Sequence, residues 1–202
     1  VAHRVESAKV THGELVSAFG SLWIETMPPE VAERHFTDPD DRRLLTEVGL
    51  PSSLLGQVYF GNVRVDPPQT IGQALDTGTP DTFAPEIRDD IVIAVGMGGW
   101  ACMSRADRRI YWYEPGNSDR KLGLINTSLE RFLKIAHRLR VEFKDIDLCH
   151  SADEDESEEE IADELRRLVA EIRGIDPPSF DSPAMFWQHV AFFALSTLAS
   201  DC

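Results

Sequence analysis

Helix signals, then strand signals, then helix signals again follow one another along this chain, dividing it into three stretches. In residues 1–57 Thr11 and Glu14 form a capping box ahead of LVSAFGSLWI (15–24), with Gly20 interrupting the run and Pro28-Pro29 ending it. Asp38-Pro39 supplies a cap and a first-turn proline for a short helix through DDRRLLTEV (40–48), which Gly49 stops. Leu50-Pro51 then leads into extended chain.

Residues 58–126 read as strands. VYFGNVRV (58–65), IVIAV (91–95), WACMS (100–104), RIYWYE (109–114) and LGLIN (122–126) are the candidates, with an irregular Pro-, Gly-, Thr- and Asp-rich connection over 66–89. The later links are too short to hold helices, so the pairing is expected to be antiparallel. In residues 127–202 Thr127 and Glu130 stand in capping-box spacing, and Leu129, Phe132, Leu133, Ala136 and Leu139 recur on one helical face. A second helix is predicted from the Ser157-x-x-Glu160 cap to Arg173, with Gly174 as its stop. After the Pro-rich turn IDPPSFDSP, Ser182 and Pro183 open a final apolar helix over 182–199. Its stretch PAMFWQHVAFFAL is short for a membrane span and carries Gln188 and His189 at its centre, so a buried or partner-facing helix is expected.

Composition places the 202 residues among ordinary globular chains, with 42% hydrophobic and 27% charged positions. The net charge of −15 changes the picture more, because an acidic surface repels phosphate backbones and suits a basic protein partner. Nine acids and no base within SADEDESEEEIADE (151–164) concentrate that charge, the first part (151–157) reading as a solvated loop. Cys102, Cys149 and Cys202 are widely spaced, which points to a reducing, cytoplasmic setting. No secretory signal opens the sequence.

Two motifs invite chemistry. Gly96-Met97-Gly98-Gly99-Trp100-Ala101 fits the dinucleotide fingerprint, with Glu114 near the place of a ribose-binding acid. That fingerprint must open a helix, whereas Trp100–Ser104 runs into the polar turn Arg105–Arg108 and then the aromatic strand at Ile110. The glycines are therefore expected to form a tight turn and admit a close backbone or side chain. Asp153, Asp155, Ser157 and Glu164 occupy positions 1, 3, 5 and 12 of a calcium loop, but Glu158 stands where its glycine is required. The histidines show no metal-ligand spacing, and no G-x-S-x-G elbow is present. Neither a cofactor, a metal site nor a catalytic residue is expected. The aromatic residues Trp100, Tyr111, Trp112 and Tyr113 on neighbouring strands remain as partner-binding candidates, half expected inside and half facing out.

The succession LLTEVGLP (44–51), VYF (58–60), IVIAVG (91–96), RIYWYEPG (109–116) and LINTSLERFL (124–133), with Ile175-Asp176-Pro177 and Phe186-Trp187 further on, resembles the SUKH superfamily of bacterial immunity proteins, closest to its fourth group. The resemblance covers residues 43–139 closely and 161–190 loosely, and rests on order and spacing. It implies an α+β fold, a single SUKH-like domain over 1–202 with a bent antiparallel sheet and flanking helices. It also implies a binding protein, without catalytic residues, that neutralises a cognate toxin, often a nuclease or nucleic-acid deaminase of a polymorphic toxin system. The acidic insert at 151–160 and the apolar last helix depart from the pattern. Trp100, Trp112, Tyr113, Asp153, Glu154, Asp155 and Glu156 are the expected contributors to toxin binding. Neither direct nucleic-acid binding nor a membrane is expected, and homodimerisation through helix 182–199 stays open. The alternatives are a scaffolding module with no toxin partner and, more remotely, a nucleotide-binding enzyme resting on the glycine motif.

Overall fold

A computed structural model describes residues 9–61, 65–74, 87–114, 123–143, 158–182 and 185–200. Its centre is a six-stranded antiparallel meander in which β3 (Ser53–Leu54), β4 (Val58–Phe60), β5 (Ile91–Gly96), β6 (Gly99–Met103), β7 (Ile110–Tyr113) and β8 (Gly123–Asn126) lie side by side in chain order. Register shifts between Val92 and Ala94 and between Ile110 and Tyr111 are bulges, which bend the strands that carry them. A separate two-stranded ribbon pairs β1 (Ile24–Glu25) with β2 (Leu50–Pro51). The architecture is α+β, as the sequence indicates.

The first helix, α1 (His12–Phe19), starts with the reciprocal Thr11–Glu14 capping box and stops at Gly20, whose φ is +89°. Pro28-Pro29 does more than end that segment: Pro29 occupies the first turn of α2 (Pro29–His35), where its missing N–H costs nothing. Asp38 caps α3 (Pro39–Arg43), accepting from the amides of Asp40 and Asp41. The helix then widens into a π turn, Leu44–Val48, and ends at Gly49. A Cβ on Gly49 would lie 2.7 Å from the Ile24 side chain and 2.9 Å from the Glu25 carbonyl, so glycine is what lets the ribbon pass this helix end. The stretch before 58 therefore contributes β1–β3 as well as helices. Within the expected irregular connection, α4 (Ile71–Ala74) is a single helical turn.

Ser128, and not Thr127, caps α5 (Leu129–Glu142) by accepting from Arg131 N. The five predicted face residues of α5 are all buried. The next helix, α6 (Glu158–Ile175), runs through Gly174 instead of stopping there. Pro177 opens a short α7 (Pro177–Phe180) inside the expected turn, and α8 (Phe186–Ser200) follows.

The core lies on one face of the sheet, beneath α5 and α8, and runs on into α1, α2 and the π turn, with Leu168 and Ile172 of α6 joining it. Five rings run through it in series: Phe60, Phe132, Trp187, Phe186 and Trp112, with successive centroids 5.0–5.6 Å apart and tilted or edge-on geometry. This chain of rings connects β4 to β7 by way of α5 and α8.

Candidate partner-binding surface

The glycine motif forms the β5–β6 hairpin. Gly96 pairs with Gly99, and the two turn residues Met97 and Gly98 both have positive φ, +49° and +80°, as a two-residue I′ turn requires. A Cβ on Gly96 would come within 2.1 Å of the Gln57 carbonyl oxygen, and one on Gly99 within 2.3 Å of the Tyr113 carbonyl oxygen and 2.6 Å of the Trp112 indole. The glycines thus allow strands β3–β4 and β7 to close against the hairpin. No helix opens on them, so their amides are not arranged around a pyrophosphate as in a dinucleotide fold.

Strand alternation sends Ala101, Met103, Ile110 and Trp112 into the main core. It sends Trp100, Cys102, Tyr111 and Tyr113 to the opposite face, where Ile71 and Ile87 pack over part of the sheet. Both faces of β6–β7 are therefore covered. Trp112 and Tyr113 are buried, and neither takes part in a surface of this conformation. Trp112 donates from Nε1 to Glu114 Oε1 at 3.0 Å, while Tyr113 donates its hydroxyl to Asp90 Oδ2 at 2.7 Å. Burial, helped by that bonded carboxylate, holds the Tyr113 hydroxyl well above the usual phenol range. Burial and the nearby Asp90 likewise push the Cys102 thiol up.

The cover over this second face is partial. Register places Tyr59 opposite Val95, Val95 opposite Trp100, and Trp100 opposite Tyr113, so the four side chains form one cross-strand row. The row passes from solvent to interior: Tyr59 is 52% exposed, Val95 36%, Trp100 half-buried and Tyr113 wholly buried. Trp23, 59% exposed, adjoins the same edge through the main chain, its carbonyl accepting from Ser52 N at 2.7 Å while the Ser52 carbonyl accepts from Phe60 N at 3.1 Å. Of the expected partner-binding aromatics Trp100 lies in this row, and Tyr111, half-buried on the same face, donates its hydroxyl to Asp107 Oδ2 at 2.6 Å. Tyr59 was legible in VYF, where Val58 and Phe60 turn inward and the residue between them must turn out. Trp23 was hidden in an apolar run that Gly20 breaks.

The β6–β7 turn is fastened to the helices beneath it. Arg108, at φ +62°, donates from Nε to buried Asp41 at 2.8 Å and lies 2.5 Å from Asp38 through Nη1. The Asp41 hydrogen bond is the main reason its guanidinium is held above the usual range. Arg105 Nη1 donates to the His35 carbonyl at 2.7 Å. Asp153, Glu154, Asp155 and Glu156, and with them most of the calcium-like pattern, lie outside the described residues. Among the described residues no group of three His, Cys, Asp or Glu side chains is arranged to hold a metal ion, and no helix is long and apolar enough to cross a membrane.

A second polar centre is structural. Asp176, fully buried, accepts at Oδ2 from Asn126 Nδ2 (2.9 Å) and Thr127 N (2.7 Å), and at Oδ1 from Thr127 Oγ1 (2.8 Å) and Arg131 Nη1 (2.9 Å). Asn126 in turn accepts from Trp187 Nε1 at 3.0 Å. The widely separated segments NTSLER, IDP and FW thus meet in one buried clasp that ties β8, α5, α7 and α8 together.

No match was found among curated proteins or among solved structures. A family model, that of the SUKH-4 immunity protein, matches residues 10–193. That span takes in the meander, the clasp and the exposed aromatic row, and on it the chain belongs to the SUKH-4 immunity protein family.

Proposed function

We propose that the protein works as one unit that binds and neutralises a cognate toxin of a bacterial polymorphic toxin system, acting in the cytoplasm on a nuclease or nucleic-acid deaminase. The observation that carries this reading is membership of the immunity family across residues 10–193. The net charge of −15 supports a basic partner, because enzymes that grip phosphate backbones carry positive grooves and an acidic antidote is steered into them. The contact surface is the exposed row Tyr59, Val95 and Trp100 with Trp23 at its edge. The acids Asp153, Glu154, Asp155 and Glu156 add to the negative charge that steers a basic partner toward the protein. Exposed Trp and Tyr on a rigid sheet are the residue types that dominate binding energy at interfaces. The buried Trp112 and Tyr113 act indirectly, by fixing the strands that display Trp100.

The test is capture of the partner from source cells at moderate salt, followed by growth rescue when partner and antidote are co-expressed. A stoichiometric basic toxin is expected. Replacing Tyr59 and Trp100 together with Ala should weaken its binding by about 2 kcal/mol or more, roughly thirtyfold. Converting the four acids of 153–156 to their amides should slow association and flatten its salt dependence. A stoichiometric partner without toxic activity would replace neutralisation by scaffolding.

A further inference from the structure

We infer that Trp23, Tyr59 and Trp100 form a platform for cationic side chains, on which arginines of the basic partner stack. This rests on the reading above and names the contact chemistry of the same surface. Tyr59 and Trp100 stand two strands apart in the cross-strand row, with Val95 between them. Neighbouring strands are spaced by about 4.8 Å, so the two positions lie about 10 Å apart across the valine. Between them is a slot floored by an aliphatic side chain and walled by two rings. It has room for one planar guanidinium, with the methylene stem lying on Val95. Among the described residues none of the three rings touches another ring. Neither the Tyr59 hydroxyl nor the indole N–H of Trp23 or Trp100 is hydrogen-bonded there. The buried indoles differ: Trp112 donates to Glu114 and Trp187 to Asn126.

Charge selects the occupant. The segments that carry these rings, 21–33, 44–61 and 91–104, contain no lysine or arginine, and their acids are Glu25, Glu30, Glu33 and Glu47. The chain has 20 lysines and arginines, yet these segments bring no positive charge of their own to the rings. Arg105 and Arg108 follow the far end of β6, where the His35 carbonyl and Asp41 hold them. A cation approaching the rings therefore meets their negative faces within a negative field, whereas a phosphate or carboxylate is repelled. A purely apolar occupant would use the rings but gain nothing from the field. Arginine suits the slot better than lysine, because its guanidinium is planar, stacks on aromatic faces and is less strongly hydrated.

The test titrates the full chain with a short peptide of alternating arginine and glycine, and in parallel with its citrulline counterpart, which keeps the shape without the charge. Nuclear magnetic resonance follows the indole N–H signals, assigned with Trp23→Phe and Trp100→Phe. The arginine peptide is expected to shift the signals of Trp23 and Trp100 and leave those of Trp112 and Trp187 in place, while the citrulline peptide shifts none. Trp23→Leu and Tyr59→Leu, both at exposed positions, should each weaken arginine-peptide binding roughly two- to fivefold with the circular dichroism unchanged. Equal shifts by the two peptides, or none by either, overturn the inference. So does arginine binding that both leucine variants leave unaltered, which would assign it to overall charge. Capture from source cells separates the platform from the neutralisation reading. Arginine binding with a partner that is not toxic sinks neutralisation alone. A toxin held equally well by the wild type and the Trp23→Leu, Tyr59→Leu double variant sinks the platform alone.

Discussion

Single residues here act mostly by what they exclude or complete. Asp176 completes four hydrogen bonds, so Asp176→Ala leaves the inward donors of Asn126 and Thr127 unmatched while Arg131 turns to water, and should cost about 2–4 kcal/mol, read by denaturant unfolding. Gly96 excludes: with a Cβ due 2.1 Å from a carbonyl, Gly96→Ala must part β4 from β5 and should lose about 1–3 kcal/mol. Gly174 is the contrasting case, in helix with nothing within 4 Å of its Cβ position, and Gly174→Ala should stabilise by about 0.5–1 kcal/mol. Cys102 is shielded and its thiol raised by burial and Asp90, so its thiolate is scarcer than a free cysteine's at any working pH. Peptide mapping after brief alkylation of the native protein should find Cys102 unmodified, and modified once the chain is unfolded.

At the scale of elements, what could be read from the sequence was whatever repeats. The period-3.6 face of α5 names its buried residues, and the four longer strands are visible in their apolar runs. Two-residue strands such as β1, β2 and β3 are too short to show a period and exist because distant chain segments meet. The prolines at 28–29 and 177–178 punctuate the sequence as breaks, yet each pair begins a helix, since proline suits a first turn as well as it ends a last one. Alternation along RIYWYE separates two faces correctly, but it cannot tell that α4 and the residues around Ile87 cover one of them. That is why Tyr113 lies inside as well as Trp112, which faces the main core, while Tyr59, in a three-residue strand, reaches solvent. Replacing Ile71 with Asp, at the centre of that cover, should destabilise the protein and increase the exposure of Tyr113, visible as a shift in near-ultraviolet circular dichroism.

Across the whole molecule, the exposed row at β4–β6 lies on the sheet face that α4 covers in part, while α5 and α8 pack on the other. The buried clasp sets a further condition on the living cell. Residues 91–126 leave the ribosome well before Asp176 and Trp187, so the sheet waits with Trp112 and Phe132 uncovered until the segment that carries Phe186 and Trp187 has followed. An interrupted chain is therefore a substrate for proteases, and protection against the toxin switches on only with molecules whose synthesis has passed the last aromatic of the core.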